Sequence, residues 1–435
     1  MIAFLLLAMA AEPGWPAVEN YAVDLLQRYI RIESVNPPAD SRQAAAFFEA
    51  ELRRAGLEPR RFAAAAAPEK VNLLVRLKGR DPKKKPLLLL NHFDVVPVDR
   101  AAWGAVNPFG GEIKDGAIWG RGALDMKGIG IMHLVSLIQL KRLGIVPARD
   151  IVMLTTPDEE TNGTHGIVWM ADNHFKEIDA EYVLDEGGMG TRDVFSPGKL
   201  VFGVAVGEKV VVWVRIRAKG TAGHGSQPIA GNANLRLLRA VENALNAPEG
   251  AKPNPVVEAM RHALGGQFAG NKYVNAIQRN TLSLTTLRAG VGDPPKVNVI
   301  PSNAEATLDC RLLPGVNVAE FLSEMRARIN DPQVTVELIN DPADPGASRS
   351  DTPLFAAIGA AIRKYHPGAV VTPILVPHGT DSVKLRKRGM TAYGFTPMIL
   401  DLATAGTMHS DQERIPEAEF RKGLRILFEV LKSDF

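Results

Sequence analysis

The stretch LLLLNHFDVVPVD, residues 87 to 99, constrains this chain more than any other. A short unbroken apolar run reads as a strand buried on both faces, the kind found at the centre of an open α/β sheet. Such sheets place their chemistry at the carboxyl ends of the strands. His92 and Asp94 stand two residues apart, so they project to the same side of an extended chain. A metal-binding imidazole needs an acceptor at its second nitrogen to fix tautomer and orientation, and Asp94 stands where that acceptor belongs.

With 435 residues, 46% of them hydrophobic and 23% charged, the chain is globular and too long for one simple core, so two domains are expected. A net charge of +3, with no basic face interleaved with aromatics, gives no case for nucleic acid. The single cysteine, Cys310, rules out an intrachain disulfide and a Cys-rich metal site. Any metal here must use His and carboxylates. Residues 1 to 10, MIAFLLLAMA, resemble a secretory h-region with a small-residue cleavage site at Ala8 to Ala10, although a basic n-region is missing. The expectation is an exported protein, periplasmic or secreted, with a cytoplasmic protein carrying a docked N-terminal helix as the alternative. No other segment reads as long enough to cross a bilayer, so no membrane anchor is expected.

Amphipathic helices are predicted over 17 to 34 and 41 to 56, followed by strands near 71 to 77 and at Leu87. A helix is predicted from about 126 to 143. IVMLTTPDEE (151 to 160) and AEYVLDEGG (180 to 188) repeat the opening pattern of an apolar strand that ends in acidic residues. This alternation predicts a mostly parallel sheet with helices on both faces, in a first catalytic segment over 11–206. Near 207 the pattern changes. Residues 207–340 read in the order β-α-β-β-α-β, an inserted ferredoxin-like α+β domain, with 247 to 280 as an elongated lid segment. From 341 to 435 the α/β pattern returns and ends in a helix from about 416 to 432.

Five stations stand at predicted strand ends or adjacent loops: His92, Asp125, the pair Glu159-Glu160, Asp185 and His409. Together they supply the imidazoles and carboxylates that a hard-to-borderline divalent ion uses when no thiolate is available, enough for two ions if one carboxylate bridges. The adjacent glutamates add a second requirement of hydrolysis, since one can ligate while its neighbour stays free as general base.

HFDVVP, WGRGALDMKG, PDEETNG, LDEGG and MHSDQERIP resemble, in order, the successive motifs of the co-catalytic di-zinc exopeptidase family. That family includes carboxypeptidase G, carboxypeptidase S, carnosinase-type dipeptidases, aminoacylase and acetylornithine deacetylase. The resemblance covers nearly the whole chain, including the insertion. It implies two zinc ions, or cobalt or manganese in their place. It implies that His92 and Asp185 hold one ion, Glu160 and His409 the other, and that Asp125 bridges them. Asp94 would support His92, and Glu159 would be the catalytic base and acid. His224, in AGHGSQP, would reach the active site of a partner subunit and stabilise the oxyanion, which implies a homodimer through the inserted domain. Asn298 and Arg311 resemble a substrate-anchoring pair, Arg311 suiting a free carboxylate. Gly379 and Thr380 resemble part of the family's late glycine loop near substrate. His133, His165, His174, His262, His366 and His378 read as structural.

The fourth carboxylate bears on subclass. Deacetylase-like and aminoacylase-like members tend to have Glu at that position, so Asp185 inclines the reading toward the peptidase branch, while Glu186 next door leaves a one-residue shift open. The expected function is a zinc exopeptidase that cleaves an amide next to a free carboxylate. The alternatives are an N-acyl-amino-acid amidohydrolase and, from another class, a binding protein that kept the fold and lost the chemistry. The intact Glu159-Glu160 pair argues against the last.

Overall fold

The computed structural model describes residues 12–246 and 254–435; the expected leader at 1 to 10 lies outside them. At the centre is an eight-stranded sheet in the order Arg60–Phe62, Asn72–Leu77, Ile151–Thr156, Leu87–His92, Tyr182–Arg192, Thr391–Ile399, Leu200–Glu208, Val370–Val376. All six residues of Leu87–His92 are buried, as an apolar run between two helical layers must be. Its neighbours Ile151–Thr156 and Tyr182–Arg192 run parallel to it, and Thr391–Ile399 continues the parallel centre.

The flanks depart from the mostly parallel expectation. Asn72–Leu77 runs against Ile151–Thr156, and Leu200–Glu208 runs against Tyr182–Arg192. The second reversal follows from chain length, because the link from Asp193 to Lys199 is too short to carry a crossover helix. Helices Trp15–Ile30, Gly128–Arg142 and Glu417–Lys432 share the main apolar core on one face of the sheet. Ile167–Asn173 and Ser382–Arg386 cover the other face. The helix expected from about 126 to 143 lies within Ala123–Arg142, which, against the expectation that no further segment is long enough, has the length and apolarity of a membrane span; 94% of its apolar window is buried within the protein.

The inserted domain has the expected β-α-β-β-α-β order. Its antiparallel strands lie in the order Thr281–Ala289, Asn303–Leu312, Val210–Lys219, Val334–Leu338. Val210, Val212, Val214, Ile216 and Ala218 alternate inward against helices Ala233–Leu245 and Val318–Ile329. The described part of the lid segment does something else. Its helices Pro255–Ala263 and Lys272–Gln278 bury Val257, Met260, Val274 and Ile277 against Val201, Ala205, Ile374 and Val376 of the central sheet. Lys209, where the chain enters the insertion, donates from Nζ to the carbonyls of Ala276 and Arg279 and to Thr281 Oγ1, at 2.8 to 2.9 Å. One buried ammonium thus joins two crossings between the domains.

Candidate active site

The carboxyl ends of the parallel strands bring His92, Asp125, Glu159, Glu160 and His409 together. His92 ends its strand, and its Nδ1 lies 2.9 Å from the main-chain carbonyl of Asp94. A proton donated there leaves the Nε2 lone pair aimed at the cluster. Asp125 faces both imidazoles: one carboxylate oxygen is 3.3 Å from His92 Nε2, the other 3.0 Å from His409 Nε2. His409 Nε2 also lies 3.3 Å from Glu160 Oε1. One carboxylate between two imidazoles has the geometry of a bridge.

Asp94 organises the acids from beneath. Its carboxylate accepts the backbone N–H groups of Glu159 and Glu160, each at 3.1 Å, and the amide of Asn36 at 2.7 Å. The side chain is 3.4 Å from His92 Nδ1, so the imidazole is held chiefly by the Asp94 main chain.

The fourth carboxylate differs from the resemblance-based assignment. Asp185 Oδ2 accepts from the backbone N–H of Ser382 at 3.2 Å and from its hydroxyl at 2.7 Å. Glu186 instead turns toward the cluster, 3.9 Å from His92 Nε2. Ligand atoms of His92, Glu159 and Glu186 fall within 4.8 Å of one another, as do those of His92, Asp125 and Glu160.

The protonation energetics fit a cation. Burial and the repulsion of Asp125 and Glu159 hold the Glu186 carboxyl well above the usual range. Burial does the same to Glu159, reinforced by Asp381, Asp125 and Glu160. His409 is pushed up to about 10 by Asp125 and then Glu160. His92 Nε2 and Glu160 Oε1 are buried without hydrogen-bond partners. Buried anions at this density need positive charge among them, and the orphaned nitrogen and oxygen are good donors to a divalent ion.

Supports that the sequence reading missed hold the far side. Glu413 is fully buried and accepts from the backbone N–H groups of Leu124 and Asp125 at 3.0 and 3.1 Å. Its other oxygen takes the Arg121 guanidinium at 2.6 Å, and Arg121 also donates to the His409 carbonyl. The pair thus fixes both arms around Asp125. The signal was present in GRG and DQERIP, motifs quoted for their neighbours.

The remaining candidates lie apart from the cluster. His224 is exposed, with Nδ1 2.7 Å from Ser226 Oγ, and Gly225 N–H donates to the Asn298 carbonyl at 2.7 Å. Those two candidates therefore meet each other on the inserted domain. Arg311 is paired in fork geometry with Asp309 at 2.7 and 3.0 Å, and its Nη1 reaches the Pro377 carbonyl at 3.4 Å. Thr380 donates to Glu208 at 2.7 Å and Gly379 lies exposed beside it.

A cluster of carboxylates around a buried imidazole, His92, and an exposed one, His409, at the carboxyl edge of an α/β sheet, with a glutamate pair on one turn, defines a metal-dependent hydrolase. The chain belongs to the family described as Peptidase family M20/M25/M40, whose model matches residues 88–433. Aminoacylase-1B of Rattus norvegicus is 30% identical over 417 residues, which cover 94% of each chain. A metallo-carboxypeptidase of the same family from Sulfolobus solfataricus has the same fold, with a TM-score of 0.72 at 18% identity over 94% of this chain and 98% of that one. Human carnosine dipeptidase 1 also shares it, at a TM-score of 0.66 and 17% identity over 97% and 98%.

Proposed function

We propose that this protein hydrolyses N-acyl amino acids, releasing the amino acid and a carboxylic acid, with two zinc ions or cobalt or manganese in their place. The observation that carries the choice is Glu186. The inclination toward an exopeptidase rested on an aspartate in the fourth ligand position, and a glutamate faces the cluster instead. The reading also agrees with the name of the aminoacylase to which the chain is similar.

His92 and Glu186 would hold one ion, Glu160 and His409 the other, with Asp125 between them. The ions would polarise the scissile carbonyl and acidify the attacking water. Glu159 is placed to take the proton from that water and return it to the leaving amine, because its buried carboxyl has raised proton affinity and its backbone is pinned by Asp94. Asp94 holds the imidazole and both glutamates in register, and Arg121 with Glu413 fixes the turn that presents Asp125.

His224 and Asn298 make no hydrogen bond to these residues, which fits a role in trans in a homodimer through the inserted domain. Sedimentation that gives only monomer at micromolar protein would overturn the dimer. The activity test is amino-acid release by the zinc-loaded protein from a panel of N-acyl amino acids and dipeptides. Faster turnover of acyl substrates is expected; faster turnover of dipeptides would assign an exopeptidase.

A further inference from the structure

Residues 34 to 36, Ser-Val-Asn, follow helix Trp15–Ile30 and lie alongside residues 93 to 95. Val35 and Val95 form a parallel bridge; Val95 N–H donates to the Ser34 carbonyl at 3.0 Å, and Asn36 N–H to the Val95 carbonyl at 2.9 Å. Backbone pairing therefore fixes where the Asn36 side chain emerges. It emerges beside the Asp94 carboxylate and is 4% exposed. A carboxylate only accepts, so the amide nitrogen is the atom that faces it.

That nitrogen carries two hydrogens, and Asn36 donates both. Nδ2 lies 2.7 Å from Asp94 Oδ2 and 2.8 Å from Thr161 Oγ1, each below the usual distance of about 2.9–3.0 Å. The two acceptors bracket Glu160. Asp94 Oδ2 also accepts the Glu160 N–H, and Thr161 is the next residue along the chain, so a ring closes through Asp94, Asn36, Thr161 and the Glu160 backbone. The Glu159 N–H goes to the other oxygen, Oδ1. Glu160 Oε1 is buried, 3.3 Å from His409 Nε2, and has no hydrogen-bond partner among the described residues. Its aim is set by the backbone that carries it.

We propose that Asn36 is a positioning residue of the metal site: it clamps the Asp94 carboxylate to Thr161 and so fixes the backbone from which Glu160 reaches its ion. This rests on the two-ion site proposed above and adds to it a residue, outside the acidic motifs, that sets the affinity of one ion. Without the amide, Asp94 still accepts both glutamate N–H groups, so the acids stay in place while the turn at Glu160 gains freedom.

The test is zinc binding by equilibrium dialysis, with the melting temperature of the chelated protein as the control for folding. Asn36→Ala should bind one of the two ions about 10- to 100-fold more weakly than the parent, the usual effect of losing a partner behind a metal ligand. Affinity for the other ion and KM for an N-acyl amino acid should be unchanged. Thr161 is exposed, so its variants test the second arm without disturbing the core. Thr161→Val should weaken the same ion by about 2- to 10-fold, the range of one neutral hydrogen bond, and Thr161→Ser, which keeps the hydroxyl, should match the parent. The double variant Asn36→Ala/Thr161→Val should bind no more weakly than Asn36→Ala alone. Unchanged zinc affinity in Asn36→Ala, equal weakening of both ions, or losses that add in the double variant each overturn the proposal and leave the two-ion site standing. If Asn36→Ala does not fold, unchanged affinity in Thr161→Val overturns it. A parent that holds fewer than two ions refutes the two-ion site and this proposal with it.

Discussion

Replacing Glu186 and Asp185 one at a time separates the acid that faces the cluster from the one that faces away. Carboxylate oxygens of Glu186 and Glu159 lie within 4.8 Å. Two charges at that distance repel by about 3.5 kcal/mol at an effective dielectric near ~20. In the metal-free protein, proton uptake by these high-pKa acids relieves part of this, leaving about 1–2 kcal/mol for Glu186→Gln to remove. Chelated Glu186→Gln should therefore melt a few degrees above the chelated parent. With metal the sign reverses, because a neutral amide replaces an anionic donor. Affinity should fall by more than the roughly 10- to 100-fold seen when only a supporting partner of a ligand is lost. Asp185→Asn should do the opposite. It weakens two charge-assisted bonds to Ser382, of which the amide oxygen can retain one, so about 2 kcal/mol is lost with or without metal. Scanning calorimetry of chelated and zinc-loaded proteins, with metal content after dialysis, reads both effects. Metal loss in Asp185→Asn with retention in Glu186→Gln would refute the placement of the two side chains.

Glu159→Gln should keep its metal and lose about 10²–10⁴ in kcat, measured by amino-acid release; retained turnover would exclude Glu159 as the base. Glu413→Ala leaves the buried Arg121 guanidinium unpaired and should cost about 3–5 kcal/mol in chemical denaturation, with the His409 site loosened; a loss under 1 kcal/mol would deny Glu413 its supporting role. His133 gives a pH signature. Burial holds its imidazole at about 3, against 6.5 when exposed, so the unfolded chain binds the extra proton between those values. Stability from this group is complete above pH 6.5 and is lost as pH falls toward 3, by up to about 4–5 kcal/mol. The stability difference between the parent and His133→Gln should shrink over that window, and a constant difference would refute the assignment.

The features legible in the sequence were those set by local pattern. The leucine-rich strand, the inward alternation from Val210 to Ala218 and the acidic ends of three strands follow from periodicity, and the structure brings His92, Asp125, Glu159, Glu160 and His409 together at one sheet edge. What stayed hidden depends on pairing across long separations. Glu413 meets Leu124 and Arg121 only through the fold, and although DQERIP and GRG are both motifs, neither says that its glutamate and arginine pair with each other. The antiparallel flank is a local feature instead: Leu200–Glu208 turns back after a link too short for a crossover helix, which the alternation of strands and helices along the chain does not by itself reveal.

The exchange of Asp185 for Glu186 has a more specific cause. Side chains of adjacent strand residues point to opposite faces, so choosing the wrong one of the pair is a choice of face. Asp185 pairs with Gly394, but the next pairing joins Met189 to Thr396, so four residues of one strand are matched by two of the other. The surplus is a bulge between Asp185 and Met189, which lifts Glu186 out of the regular pleat and into the cluster. Gly187 adopts a φ of 121°, open to glycine and strained for other residues. A Cβ at Gly188 would come within 2.2 Å of the Gly203 carbonyl, so the strand can approach its neighbour only with glycine there. The pair of glycines after Asp185-Glu186 was thus the available signal: a glycine doublet inside an apolar strand marks a bulge, and a bulge at a strand end re-aims the acid beside it.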